Sequence, residues 1–145
     1  MPALSLQDWL DRVERTFFED DFEGYAARCA LPLTVVTRAA TTVVSDLGRL
    51  RAGFEAWRDM LRATGVTDMV RTARDVETLG EGLIVGRYDT RLVAGSQLVL
   101  PPFASSVALK LEDGVWKAAL VSSGMANPEF PIAKPHLPAG DGEVL

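Results

Sequence analysis

Arg87 and Asp89 are the residues of this chain whose types and spacing come closest to a reactive pair. Two positions apart on an extended strand, they share a face and can pair. The same residues, taken with Arg74 and Arg91, also read as a charge network on an outer sheet face or at a dimer interface. Tyr25 is the other informative group: a buried phenol needs a hydrogen-bond partner and can donate to a ligand oxygen. The remaining chemistry is sparse. The single histidine, His136, lies in a proline-rich stretch, which excludes a histidine-based triad or a metal site with several imidazole ligands within one chain. Cys29 sits on an apolar stripe and reads as an inert buried thiol. The glycines are dispersed and form no phosphate-cradling loop, so no nucleotide cofactor, and no cofactor of any kind, is expected. Ser105-Ser106 and Ser122-Ser123-Gly124 can bond a ligand or satisfy backbone groups at strand ends.

Composition narrows the classes of function. With 145 residues the chain has the size of one domain, enough to bury about two thirds of its unfolded surface around one core. No apolar run approaches the ~20 residues that cross a bilayer, so no membrane span is expected. A formal net charge of −5 with no segregated basic patch opposes a phosphate backbone, which argues against nucleic acid. The lone cysteine and a start without a charged segment followed by an apolar core lead to the expectation of a cytoplasmic protein.

The elements that must position these residues follow from periodicity. Ser5 can cap a first helix along which Leu6, Trp9, Leu10, Val13 and Phe17 recur at helical spacing. Phe22, Tyr25, Ala26 and Cys29 predict a second, shorter helix ending at Pro32. The β-branched residues between Leu33 and Val44 predict two short strands joined at Arg38-Ala39-Ala40. Ser45 or Asp46 can cap a third helix through Leu50, Phe54, Trp57 and Leu61, closed by Gly65, with Arg51, Glu55, Arg58 and Arg62 on a solvated face. From Thr67 the period becomes two, predicting strands Asp68–Leu79 and Gly82–Ala94 about a Gly80-Glu81 turn. Pro101-Pro102 must mark an edge, a bulge or a strand start, because proline has no amide to donate. A final hairpin, Phe103–Leu111 and Trp116–Ser123, turns at Asp113-Gly114, two residues that tolerate positive φ. Residues 1–126 make the expected domain and residues 127–145 a proline-rich tail.

Helix, helix, two short strands, helix and four long antiparallel strands make an α+β order in which helices cover one face of a sheet. This order, together with Asp21-Phe22-Glu23-Gly24-Tyr25, Phe54-Glu55-Ala56-Trp57 and Asp113-Gly114-Val115-Trp116-Lys117, resembles the nuclear transport factor 2-like superfamily, in particular its SnoaL-like branch. The resemblance implies a cone-shaped half-barrel, three N-terminal helices packed on a curved, mainly antiparallel sheet around an apolar pocket, in a homodimer paired through sheet surfaces. Val13, Phe17, Tyr25, Phe54 and Trp57 would be pocket wall or the core beneath it. At the positions where ketosteroid isomerase-like enzymes carry their acids and tyrosine, this sequence has Thr37, Val13 and Val107, none of which can do that chemistry. Limonene epoxide hydrolase-like enzymes carry Arg-x-Asp on the equivalent long strand, matched by Arg87 and Asp89, but their second aspartate falls near Val121.

Face assignment stays open on sequence. On the simple register Arg74 lies opposite Arg87 and Thr72 opposite Asp89. A site could be built from Arg87 and Asp89 or from Arg71, Asp75 and Tyr88, because one bulge exchanges the faces downstream. The expected function is therefore a protein that binds a small, partly apolar molecule in a pocket including Tyr88. An epoxide hydrolase- or isomerase-like enzyme using Asp89 and Arg87, and a non-catalytic homodimerisation module, are the alternatives.

Overall fold

A computed structural model of the chain describes residues 4–125. The expected tail at 127–145, with His136, lies outside the described residues. Helix α1 (Leu6–Phe18) begins where the Ser5 hydroxyl accepts from the Asp8 amide, and its stripe buries Leu6, Leu10, Val13 and Phe17. Helix α2 (Phe22–Ala26) has five residues, capped by the Asp21 carboxylate on the Gly24 amide at 2.9 Å. It is shorter than its stripe suggests: Cys29 belongs to strand β1 (Cys29–Val36), opposite Ala118. Phe22, Tyr25, Ala26 and Cys29 coincide with a helical period, but pairing with a distant strand overrides it from Cys29 onward. Pro32 sits inside β1, in the gap where the pairing of β1 with the last strand is interrupted between Cys29 and Thr34. No ladder amide is needed there.

Strand β2 (Thr41–Val44) returns antiparallel to β1, and Asp46 caps helix α3 (Leu47–Ala63) through the Arg49 amide. Gly65 follows with φ +73°, as its closing role requires. Arg58 is not simply solvated: its Nε donates to the Phe17 carbonyl at 2.8 Å and its Nη1 meets Asp20, joining α3 to the end of α1. Strands β3 (Asp68–Gly80) and β4 (Leu83–Ala94) turn at Glu81-Gly82, one residue later than the expected Gly80-Glu81, with Gly82 at φ +73°. The two-residue strand β5 (Gln97–Leu98) pairs with β4. Strand β6 (Phe103–Glu112) starts directly after Pro101-Pro102, and β7 (Val115–Ser123) closes the hairpin with Asp113 and Gly114 both at positive φ.

Among the described residues these strands form one mixed, mostly antiparallel sheet of order β2-β1-β7-β6-β4-β3, not closed into a barrel, with β1 and β7 parallel. The helices cover one face. Leu6 and Leu10 pack with Ile84, Tyr88, Val107, Leu109 and Ala118, whereas Val13, Phe17, Phe54 and Leu61 pack with Met69 and Leu92. Gly86 permits the close approach of α1: a Cβ there would lie 2.7 Å from a Leu6 methyl.

The β3–β4 ladder pairs Thr72 with Asp89, as the simple register requires, and Ala73 with Tyr88. It then shifts, so that Asp75, not Arg74, stands opposite Arg87. Arg74 is the extra residue of a bulge. Arg71 and Tyr88 therefore face the helices while Arg74, Asp75, Arg87 and Asp89 engage one another on the other side.

Candidate functional site

The alternation of β4 sets the inner surface. Ile84, Tyr88, Thr90 and Leu92 are buried in turn, while Arg87 and Arg91 between them are exposed. Opposite them β6 contributes Phe103 and Ser105, β7 Val121 and Ser123, β1 Leu33 and Val35, and β2 Thr42 and Val44. Helices α1 and α3 close over this surface with Phe17, Leu50, Gly53 and Trp57, and Tyr25 enters from α2. Together they bound a cavity of about 500 Å³, within the range of small-molecule sites.

The exposed residues Arg38, Ala39, Ala40 and Arg49 belong to the lining of this cavity and mark its mouth. The turn that carries the first three is held locally, since the Thr37 hydroxyl accepts from the Ala39 and Ala40 amides at 3.2 Å each. A second cavity of about 90 Å³ adjoins the inner end, lined by Trp9, Val13, Arg28, Cys29, Val107 and Ala118. Phe17, Tyr25, Leu33, Arg71, Tyr88 and Val121 line both spaces and form the partition between them.

One charged group stands in that partition. Arg71 projects over Tyr88, its guanidinium carbon 5.5 Å from the ring centroid, and its Nε is buried without a hydrogen-bond partner. Among the described residues no carboxylate lies within ion-pair distance of it, although eight other pairs meet that criterion. Its backbone carbonyl and the Ala73 amide are both held by the Gln7 side chain, at 2.7 and 2.9 Å, which pins this part of β3 to α1. Glu14 is a carboxylate whose field reaches Arg71. Desolvation at its half-buried site pushes it up from 4.5 to about 7, an effect that the attraction of Arg71 only partly offsets.

The neighbouring polar groups are neutral. Trp57 Nε1 is buried and has no partner. Burial raises the Tyr25 phenol above its ordinary value, with the Cys29 thiol beside it, and burial pushes that thiol up to about 12, so neither ionises at neutral pH. Thr90, Ser105 and Ser123 add hydroxyls to the wall. A third orphan nitrogen, Trp116 Nε1, lies in neither lining. Orphan nitrogens are thus not confined to the cavity, and what sets Arg71 apart is its charge. Among the described residues no cluster of three or more His, Cys, Asp or Glu could hold a metal ion.

Of the residues singled out in the sequence, Phe17, Tyr25, Trp57 and Tyr88 line the main cavity. Val13 lines only the inner one. Phe54, 1% exposed, lies behind the wall with ring centroids 5.1 Å from Tyr25, 5.3 Å from Phe17 and 5.5 Å from Phe22. Arg87 and Asp89 belong to neither lining, and they do not pair with each other as their spacing allows. Arg87 Nη2 meets Asp75 at 3.3 Å and Arg74 Nε meets Asp89 at 2.6 Å, both across β3 and β4 on the face away from the helices. The bulge at Arg74 is the cause, since it turns two successive charged residues of β3 toward β4's outer arginine and aspartate. It also removes Asp75 from the alternative grouping, of which Arg71 and Tyr88 remain together. The wall residues Leu33, Val35 and Thr90 were not singled out, although the parity of β4 about Tyr88 identifies Thr90, and Val121 was named only as the place of a missing aspartate.

Neither a family model nor a curated protein sequence matches the chain. Solved structures do resemble it. An NTF-2-like protein of unknown function from Shewanella oneidensis superposes with a TM-score of 0.65 at 10% identity, covering 83% of this chain and 96% of that one. Aln2 from a Streptomyces species gives 0.65 at 16% identity over 86% and 93% of the two chains. A ketosteroid isomerase-like protein from Erwinia carotovora atroseptica gives 0.55 at 15% identity over 82% and 92%.

Proposed function

We propose that the chain, which has the nuclear transport factor 2-like fold, binds a small, partly apolar molecule between the helices and the inner face of the sheet. The observation that carries this is the cavity of about 500 Å³ whose wall is aromatic and aliphatic, with a few polar groups set into it, among them Tyr25, Arg71 and Tyr88 at the inner end. Apolar walls supply most of the affinity through surface removed from water, and isolated donors fix orientation. Catalysis by Arg87 and Asp89 forms no part of the proposal, because both side chains are engaged in ion pairs away from the cavity. The Tyr25 and Cys29 groups, held neutral, serve the wall as hydrogen-bonding and packing groups rather than as a base or nucleophile.

A homodimer joined through the outer sheet face belongs to the same proposal. Thr34, Val85, Ala108 and Leu120 on neighbouring strands, with the Ser106 and Ser122 hydroxyls bonded at 2.6 Å, offer a surface of aliphatic and hydroxyl side chains. A monomeric mass in light scattering would remove this part alone. The cytoplasmic setting expected from the lone cysteine is likewise part of the reading, and no helix among the described residues is long and apolar enough to cross a membrane.

The binding reading is tested with the neutral fluorophore N-phenyl-naphthylamine. Saturable fluorescence enhancement is expected with the native chain, and Val121→Trp, which fills the partition, should weaken it at least about tenfold while leaving the circular dichroism spectrum unchanged. Enhancement that is absent, or that survives Val121→Trp undiminished, would sink the proposal.

A further inference from the structure

We infer that the ligand is a monoanion, a carboxylate carried on an apolar, ring-sized body, and that Arg71 is the residue that receives it at the inner end of the cavity. This rests on the binding reading above and specifies the chemistry of the same site. A guanidinium partly removed from water, as that of the half-buried Arg71 is, gains from an opposite charge and satisfied hydrogen bonds. Arg71 has its Nε buried without a partner and no carboxylate within ion-pair distance among the described residues. Stacking on Tyr88 compensates a cation only in part. Glu14, raised to about 7, is itself only partly charged at neutral pH and stands beyond ion-pair distance. The charge that completes the site must therefore come with the ligand.

The rest of the wall narrows the class. A guanidinium presents a planar fork of donors that matches a carboxylate, and Trp57 Nε1 is a further donor without a partner on the same cavity. A dianionic phosphate would bring two charges to the one cation of the partition, inside a chain whose formal net charge is −5. Phe17, Tyr25, Trp57, Tyr88 and Phe103 then surround the body with aromatic faces. Arg38 and Arg49 at the mouth would draw an anion inward against the overall negative field.

Competition against N-phenyl-naphthylamine tests this with a matched pair, naphthoate and its neutral isostere naphthamide, at neutral pH and fixed ionic strength. In the native chain naphthoate should displace the fluorophore at a concentration at least about tenfold lower than naphthamide, as expected for a charge-assisted hydrogen bond replacing a neutral one. In Arg71→Met, with each displacement referred to that variant's own fluorophore affinity, the two compounds should compete equally, and Arg71→Lys should keep a reduced preference for the acid. Equal displacement in the native chain would overturn the anion inference and leave the pocket intact. A preference for naphthoate that persists in Arg71→Met would overturn the role of Arg71. Failure of the fluorophore itself to bind would remove the pocket reading and this inference with it.

Discussion

Strands β3 and β4 carry arginines on both faces, and the two sets have opposite physical status. On the outer face Arg74 meets Asp89 and Arg87 meets Asp75, with all four side chains substantially exposed. Such pairs are worth about 0–1 kcal/mol, because water already solvates each charge and salt screens the attraction. On the inner face Arg71 lies over Tyr88 with a buried, unpartnered Nε and no acid at ion-pair distance. Paired charges in water say little about function. An unpaired charge in an apolar wall calls for something to pair with it.

The contrast can be broken or sharpened by substitution. The largest effect is expected at the core behind the wall: Phe54→Ala removes a side chain that is 1% exposed and packed against three aromatic rings, and should cost about 3–5 kcal/mol in urea denaturation. A cost below about 1 kcal/mol would mean that the wall collapses readily and holds no defined cavity.

The next effect is a pH dependence from Glu14. Its pKa is raised in the folded chain from an ordinary 4.5 to about 7, so the folded state binds the proton more tightly than the unfolded one. The stability it contributes is full below about pH 4.5 and is lost as pH rises through about 7. Unfolding midpoints measured across that window should fall with pH in the native chain, and Glu14→Gln should flatten this slope and be the more stable protein above it. An identical slope in both proteins would show that Glu14 is solvated and leaves Arg71 without a partly protonated neighbour.

The smallest effect belongs to the outer face. Asp89→Asn should change stability by less than about 1 kcal/mol and leave fluorophore affinity unchanged. A marked loss of ligand binding in this variant would erase the distinction between the faces and restore Asp89 as a functional group.

The order of elements was legible because hydrophobic period and turn chemistry agree with the final packing. The Ser5 cap, the closing Gly65, the Asp113-Gly114 turn and the start after Pro101-Pro102 are each local, and local signals survive in one sequence. Cys29 was misplaced because three residues at helical spacing do not announce where a distant strand will claim the fourth. The register of β3 on β4 could be read to Ala73 and no further. The bulge at Arg74 falls in Ala73-Arg74-Asp75, which contains no glycine or proline to signal it, and it decides which charges face outward. Arg71 was visible as a member of one possible face. Its importance was not, because an arginine on a strand looks the same in sequence whether it is wet or enclosed.

The turn between β1 and β2 has a consequence for how such a protein can change. The exposed residues Arg38, Ala39 and Ala40 sit at the cavity mouth, and the turn is closed on itself, by the Thr37 hydroxyl and by the Thr37 amide donating to the Ala40 carbonyl at 2.9 Å, rather than by the core. As long as that hydroxyl is kept, the three residues after it can be exchanged without disturbing any buried contact. Selection could then reshape the entrance of the cavity while its inner wall stays fixed, so a change at the mouth need not pass through a loss of stability.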